Sequence, residues 1–278
     1  MPFFRLRKFH HHVQWIRDLL KPPLLTRRHL NMSTLGICDW GIGGLGFYRL
    51  LAAQRPDLDV VYIGDQGAIP YGKMRNEALA ARLSVVMQMF GTLDVKRVVV
   101  ACNAAGTVLA QVHVPGLCAT SVIAPTLRRL RRENYACVGI IGGRRTVQSQ
   151  AYAAPLRHRG VRVQQRVAQP FSALIEAGQA DASETLALLR TIIAPLHTVD
   201  CLILGCTHYS VLTPALHILL PAIPLIDPTV ETWREISQEL PPPQRCRGNH
   251  RFYTTGDPAA MQTQAAAVFG VYTDVRCL

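Results

Sequence analysis

Two similar α/β domains, each a doubly wound and mostly parallel sheet, with the functional cleft between them, are what this sequence predicts. Three observations carry the prediction. Short apolar runs rich in β-branched residues alternate with amphipathic stretches, which is the pattern of βαβ units. The alternation stops and restarts near the middle of the 278 residues. No apolar run reaches the ~18 residues of a membrane span, so the chain reads as soluble and globular.

The first series opens with a strand at 35–38, closed by Asp39. The run Gly41-Ile42-Gly43-Gly44-Leu45-Gly46 follows, then a helix over 47–54. A strand at 60–63 ends in Gly64-Asp65, and the loop 66–72 carries Pro70-Tyr71-Gly72. An amphipathic helix spans 76–90. The strand 98–101 ends at Cys102-Asn103, and 104–112 reads as helix. The second series has strands at 138–141, 161–167, 201–204 and 225–226, with helices at 147–157, 171–177, 182–193 and 212–219. Residues 241–251 are polar and proline-rich, hence loop; a strand at 252–255 and a helix at 258–269 close the chain. Sites in such sheets form at the carboxyl ends of strands. That rule singles out Asp39, Asp65, Cys102, Asn103, Cys206, Thr207 and His208.

A net charge of +12 invites a polyanionic partner. Half of it sits in residues 1–31, where seven Lys and Arg face Asp18 alone. The rest is scattered arginine, without the basic stripe and interleaved aromatics of a nucleic-acid surface. Neither nucleic acid nor membrane is therefore expected as a partner. Residues 1–31 read as a disordered basic leader without a secretory pattern. The eight cysteines form no C-x-x-C pair and are spread through apolar segments, which argues against a disulfide scaffold and for a reducing cytoplasm.

Cys102 and Cys206 hold equivalent places in the two series: apolar strand, cysteine, helix-capping polar residue. A helix N-terminus carries partial positive charge and lowers a thiol pKa from about 8.5. Two thiols on opposing domains can address one carbon from two faces, one removing a proton and the other returning one. The competing readings are buried apolar cysteines, a metal site and a cysteine–histidine hydrolase. No zinc spacing is present, so no metal is expected. A hydrolase leaves the second cysteine without a role. The glycine run does not match G-x-G-x-x-G; it reads as a tight turn whose amides hold a small anion such as a carboxylate.

Several segments together resemble glutamate racemases of the aspartate/glutamate racemase family: 36–45, 62–65, Pro70-Tyr71-Gly72, Val100-Ala101-Cys102-Asn103, 138–142, 174–178, 204–209 and 252–258. The resemblance runs in order from about residue 35 to the C-terminus. It implies an isomerase that interconverts L- and D-glutamate by two-cysteine proton transfer, without pyridoxal phosphate or any other cofactor, and that supplies D-glutamate for peptidoglycan. Cys102 and Cys206 become the acid/base pair, Asp39 the assistant of Cys102 and His208 that of Cys206. Glu176 falls near the second cysteine. Asp39, Trp40, Pro70, Tyr71, Gly72, Asn103, Ala104, Thr207 and His208 fall on substrate-binding positions. A small amino acid is the implied partner, and a homodimer is one open assembly. Three stretches follow as domains: the leader at 1–31, a first domain of 32–126 with 228–278, and a second of 127–227.

The sequence departs from that family where Trp40 stands for serine and Ala104 for threonine. Each missing hydrogen bond to a carboxylate costs about 1.5–3 kcal/mol of binding. Another substrate such as aspartate, or a binding protein without turnover, follows from the same two positions. Chain crossings near Pro125 and Asp227 read as hinges.

Overall fold

The computed structural model describes residues 34–278, so the leader assigned to 1–31 lies outside the described residues. In chain order the strands are β1 (Thr34–Asp39), β2 (Asp59–Gly64), β3 (Arg97–Val100), β4 (Cys118–Ser121), β5 (Cys137–Gly142), β6 (Arg162–Val167), β7 (Cys201–Gly205), β8 (Leu225–Ile226), β9 (His250–Thr254) and β10 (Val275–Cys277). The helices are α1 (Leu45–Gln54), α2 (Asn76–Thr92), α3 (Asn103–Gly106), α4 (Ile123–Leu130), α5 (Arg144–Gln148), α6 (Ala153–His158), α7 (Pro170–Glu176), α8 (Ser183–Ile193), α9 (Thr213–Leu219), α10 (Pro228–Ile236) and α11 (Pro258–Phe269).

Two sheets result, one in the order β10-β9-β2-β1-β3-β4 and one in the order β6-β5-β7-β8. Every pairing is parallel. The four-strand core of the first sheet and the whole second sheet share one order, second-first-third-fourth. Cys102 follows the third strand of one and Cys206 the third strand of the other. The chain therefore reverses direction between β1 and β3, and again between β5 and β7. Such switch points open a crevice at the carboxyl ends of the strands.

Helices cover both faces of the central strands, and these read as continuous apolar runs for that reason. β3, β5 and β7 are buried throughout. α2 buries Leu79, Leu83, Val86, Met87 and Phe90, a single helical stripe laid on the first sheet. α11 starts where Asp257 accepts hydrogen bonds from the amides of Ala259 and Ala260 ahead of Pro258, and stops at Gly270 in the left-handed region.

Some elements differ from the sequence reading. β4 and β10 are additional short strands. The region read as one helix over 147–157 is split into α5 and α6, with Gln150 at φ +58° between them. The stretch 104–112 is the single turn α3 and a 3-10 turn at Leu109–Gln111. The crossings near Pro125 and Asp227, read as hinges, fall at two helices that pack on each other. Pro125 sits in the first turn of α4, where no amide bond is lost. Asp227 caps α10, accepting from the Thr229 amide at 2.8 Å and its hydroxyl at 2.7 Å. Arg128 of α4 donates to Glu235 of α10 at 2.7 Å, tying the two crossings together.

Candidate active site

The carboxyl ends of both sheets face one cavity of about 250 Å³. All twelve site residues expected from the sequence line it: Asp39, Trp40, Pro70, Tyr71, Gly72, Cys102, Asn103, Ala104, Glu176, Cys206, Thr207 and His208. The first sheet brings Asp39 from the end of β1 and Cys102 from the end of β3. The second sheet brings Cys206 from the end of β7. The two thiols thus reach one cavity from different sheets.

Each thiol has its own ionisable companion. Cys206 Sγ lies 3.7 Å from His208 Nδ1 and 3.4 Å from Ser172 Oγ. His208 Nε2 is 2.8 Å from Glu176 Oε1, which closes a Cys206–His208–Glu176 chain. Burial alone lowers the His208 pKa, but hydrogen bonds to Cys206 and Glu176 outweigh it and push the imidazole up to about 10. His208 is thus held as imidazolium at neutral pH. On the other wall, Asp39 is buried and its carboxyl is raised by desolvation, against the pull of His208, Cys102 and the amides of Trp40 and Gly44. Thr207 Oγ1 donates to Asp39 Oδ2 at 3.2 Å, so the two walls touch.

Asn103 is the position that points to a ligand. Tyr152 Oη donates to its Oδ1 at 2.6 Å, while its buried Nδ2 has no partner. A buried amide nitrogen without an acceptor is costly, of the order of 1–3 kcal/mol, and an incoming oxygen relieves it. Tyr71 contributes its ring and backbone; its hydroxyl is turned away and donates to Asp65 Oδ2 at 2.8 Å. Asp65 is wholly buried and also accepts from Arg82 Nε at 2.8 Å and Thr255 Oγ1 at 2.7 Å. It supports the wall rather than lining it. Trp40 both lines the cavity and packs on the core, anchored by Nε1 donating to Ala68 O at 2.9 Å.

A sequence model of the Asp/Glu/Hydantoin racemase family matches residues 46–236. The chain belongs to that family. It is 34% identical over 261 residues to a glutamate racemase of Shouchella clausii, covering 86% of this chain and 91% of the relative. Among solved structures it resembles the glutamate racemase isoform RacE1 of Bacillus anthracis, at TM-score 0.81 and 26% identity over 88% of this chain and 97% of that one. It also resembles the Thermus thermophilus glutamate racemase solved with β-chloro-D-alanine, at TM-score 0.79 and 28% identity over 89% and 97%. As a racemase, this chain is an isomerase of two-domain α/β build.

Within this racemase fold, two expectations need correction. The glycine run does not cradle a ligand; no residue from 41–46 lines the cavity. Its Gly44 amide serves Asp39, and Gly43 is small because Thr207, Asp39 and His208 crowd it: a Cβ there would stand 2.5 Å from Thr207 Oγ1 and 2.6 Å from Asp39 Oδ2. The Cys102 thiol is not lowered by its helix N-terminus. Desolvation, with the charge of Asp39 next in weight, pushes it well above the usual thiol range, against the Ala105 amide. A single helical turn in a dry cavity is outweighed by burial.

Eight further residues line the cavity, and four of them carry polar side chains from the second sheet's side. Arg145 and Thr146 follow β5, and Gln169 and Ser172 follow β6. The strand-end rule reaches all four once it is applied to those two strands as well. Among the described residues no cluster of three or more His, Cys, Asp or Glu is placed to hold a metal ion, and no helix is long and apolar enough to cross a membrane. All eight cysteines are free.

Proposed function

We propose that this racemase interconverts L- and D-glutamate by proton transfer between Cys102 and Cys206, in the cytoplasm, supplying D-glutamate for peptidoglycan. The observation that carries the reading is one small cavity lined by a thiol from each sheet, with an ionisable companion beside each. The names of the relatives support the substrate. In this account 32–126 with 228–278 form one domain and 127–227 the other, and substrate lies between them.

One thiolate takes the α-proton while the opposing thiol delivers one to the other face. His208 is the proton partner of Cys206, and Asp39 that of Cys102. The orphaned Nδ2 of Asn103 receives the α-carboxylate, which gathers negative charge as the proton leaves. Donors aimed at developing charge in a closed site are the main source of stabilisation for so weak an acid. Glu176 keeps His208 charged and oriented.

Trp40 favours a second reading. An indole walling the cavity narrows it and suits a shorter acid such as aspartate. Incubation of the enzyme with a panel of L-amino acids in deuterium oxide separates the two. Deuterium at the α-carbon of glutamate supports the first reading, exchange confined to aspartate supports the second, and no exchange with any amino acid by a folded protein overturns both.

A further inference from the structure

The cavity lining mixes carboxylates, thiols and cations. Asp39, Glu176 and the two thiols line it, against His208, the exposed Lys73 and one other cation, Arg145. Arg145 comes from the first helix after β5 and reaches across to the other sheet's side. Its Nη1 donates to Met74 O at 2.6 Å, its Nη2 to Asn76 Oδ1 at 2.6 Å and its Nε to Thr107 Oγ1 at 3.2 Å. All three acceptors are neutral, and no carboxylate of the described residues pairs with it. A guanidinium has five N–H donors, so two remain. The side chain is half-buried and lines both the reaction cavity and the groove outside it. Burial pulls its pKa down, and Cys102 and Glu77 pull it back. A half-buried cation with spare donors and no counter-ion, walling a cavity where Trp40 and Ala104 present no hydroxyl, is a seat for an anion.

We propose that Arg145 is a specificity-determining residue that reads the side-chain carboxylate of the substrate, so that the enzyme takes an acidic amino acid in preference to its uncharged amide. The inference rests on the reading of this cavity as an amino-acid site and deepens it. The three acceptors line the outer groove, so the ties hold the guanidinium at the border between that groove and the cavity, where its free N–H groups meet the distal carboxylate. Asn103 keeps the α-carboxylate near the thiols.

The test compares L-glutamate with L-glutamine, which has the same shape without the charge. Wild type, Arg145→Gln, Arg145→Lys and Asn76→Ala are assayed for α-proton exchange, and calorimetry of both ligands reads binding without turnover. In Arg145→Gln the glutamate-to-glutamine ratio of kcat/KM falls by about tenfold to a hundredfold, through KM, since a charge-assisted contact is lost. Arg145→Lys keeps part of the ratio. Asn76→Ala loosens a tie but keeps the charge, and holds the ratio. Equal losses for both ligands in Arg145→Gln make the residue a mere tie between the two walls and overturn the proposal. Exchange of aspartate instead of glutamate by wild type overturns the substrate assigned above but not Arg145, whose effect is then read as the aspartate-to-asparagine ratio. A wild type that prefers the amide in exchange and in binding overturns the role of Arg145 outright.

Discussion

Replacing Glu176 by glutamine takes the negative charge out of one of the two hydrogen bonds that keep His208 protonated and leaves the shape of the side chain intact. His208 and Glu176 are both largely buried and 2.8 Å apart, so solvent screens their interaction little. A hydrogen bond to a charged group contributes about 1.5–3 kcal/mol. At 1.36 kcal/mol per pKa unit this is about one to two units. The His208 midpoint therefore drops from about 10 to about 8–9 in Glu176→Gln. The sign of the linked stability follows. The imidazole of an unfolded chain titrates near 6.5, and that of the folded enzyme near 10. The folded state holds a proton that the unfolded chain gives up between those values. Its contribution is complete below about pH 6.5 and is lost as pH rises through the folded value. Glu176→Gln loses it at lower pH than wild type does. Ring-nitrogen NMR of labelled histidine over pH 6–11 measures both midpoints, and urea melts over the same range follow the stability. A wild-type His208 that titrates below pH 7, or a midpoint unmoved by the substitution, refutes the Cys206–His208–Glu176 chain as the device that keeps the imidazole charged.

Three further outcomes follow from the same geometry. Tyr152→Phe strips the donor from Asn103 Oδ1 and leaves that buried oxygen unpaired; stability falls by about 1–3 kcal/mol in urea melts, and KM rises as the Asn103 amide loses its orientation. Gly43→Ala drives a Cβ to within 2.5 Å of Thr207 Oγ1, and the displacement of about 1 Å needed to relieve that contact costs about a hundredfold in kcat with the fold retained by circular dichroism. Arg82→Met leaves Asp65 wholly buried without its cation, which lowers stability by about 3 kcal/mol and the Tm with it, measured by calorimetry.

Much of the fold is legible in the sequence because the central strands are sealed on both faces. β1, β2, β3, β5 and β7 must then be apolar along most of their length, and β1, β2, β3 and β7 carry at or just after their carboxyl ends a chemically distinct residue, Asp39, Asp65, Cys102 and Cys206. That is why Asp39, Cys102 and Cys206 stand out from the residue pattern by itself. β4 and β10 are hidden for the opposite reason: they are short edge strands, half or mostly exposed, with no apolar run to announce them. The helices α4 and α10 at the crossings are missing from the sequence reading, and Pro125 and Pro228 both fall in first turns where a missing amide costs nothing. At the site, residue types are legible and their balance is not. The helix N-terminus at Cys102 is visible in sequence, but the burial that overrides it comes from Asp39, Tyr62 and the opposing wall, all distant in the chain. Arg145 is hidden because an arginine after a strand reads as surface, and its three acceptors, from Met74, Asn76 and Thr107, gather around it only in the folded chain.

The central claim is that two thiols address one α-carbon from opposite faces, and single-cysteine variants in deuterium oxide test it most directly. With Cys102→Ala, the remaining Cys206 still exchanges the α-proton of the enantiomer that faces it and returns deuterium to the same face. Exchange from the other enantiomer is lost, and so is inversion. Cys206→Ala gives the mirror result. If either variant still inverts substrate, or if both variants lose exchange from the same enantiomer alone, the two sulfurs do not share the reaction as described.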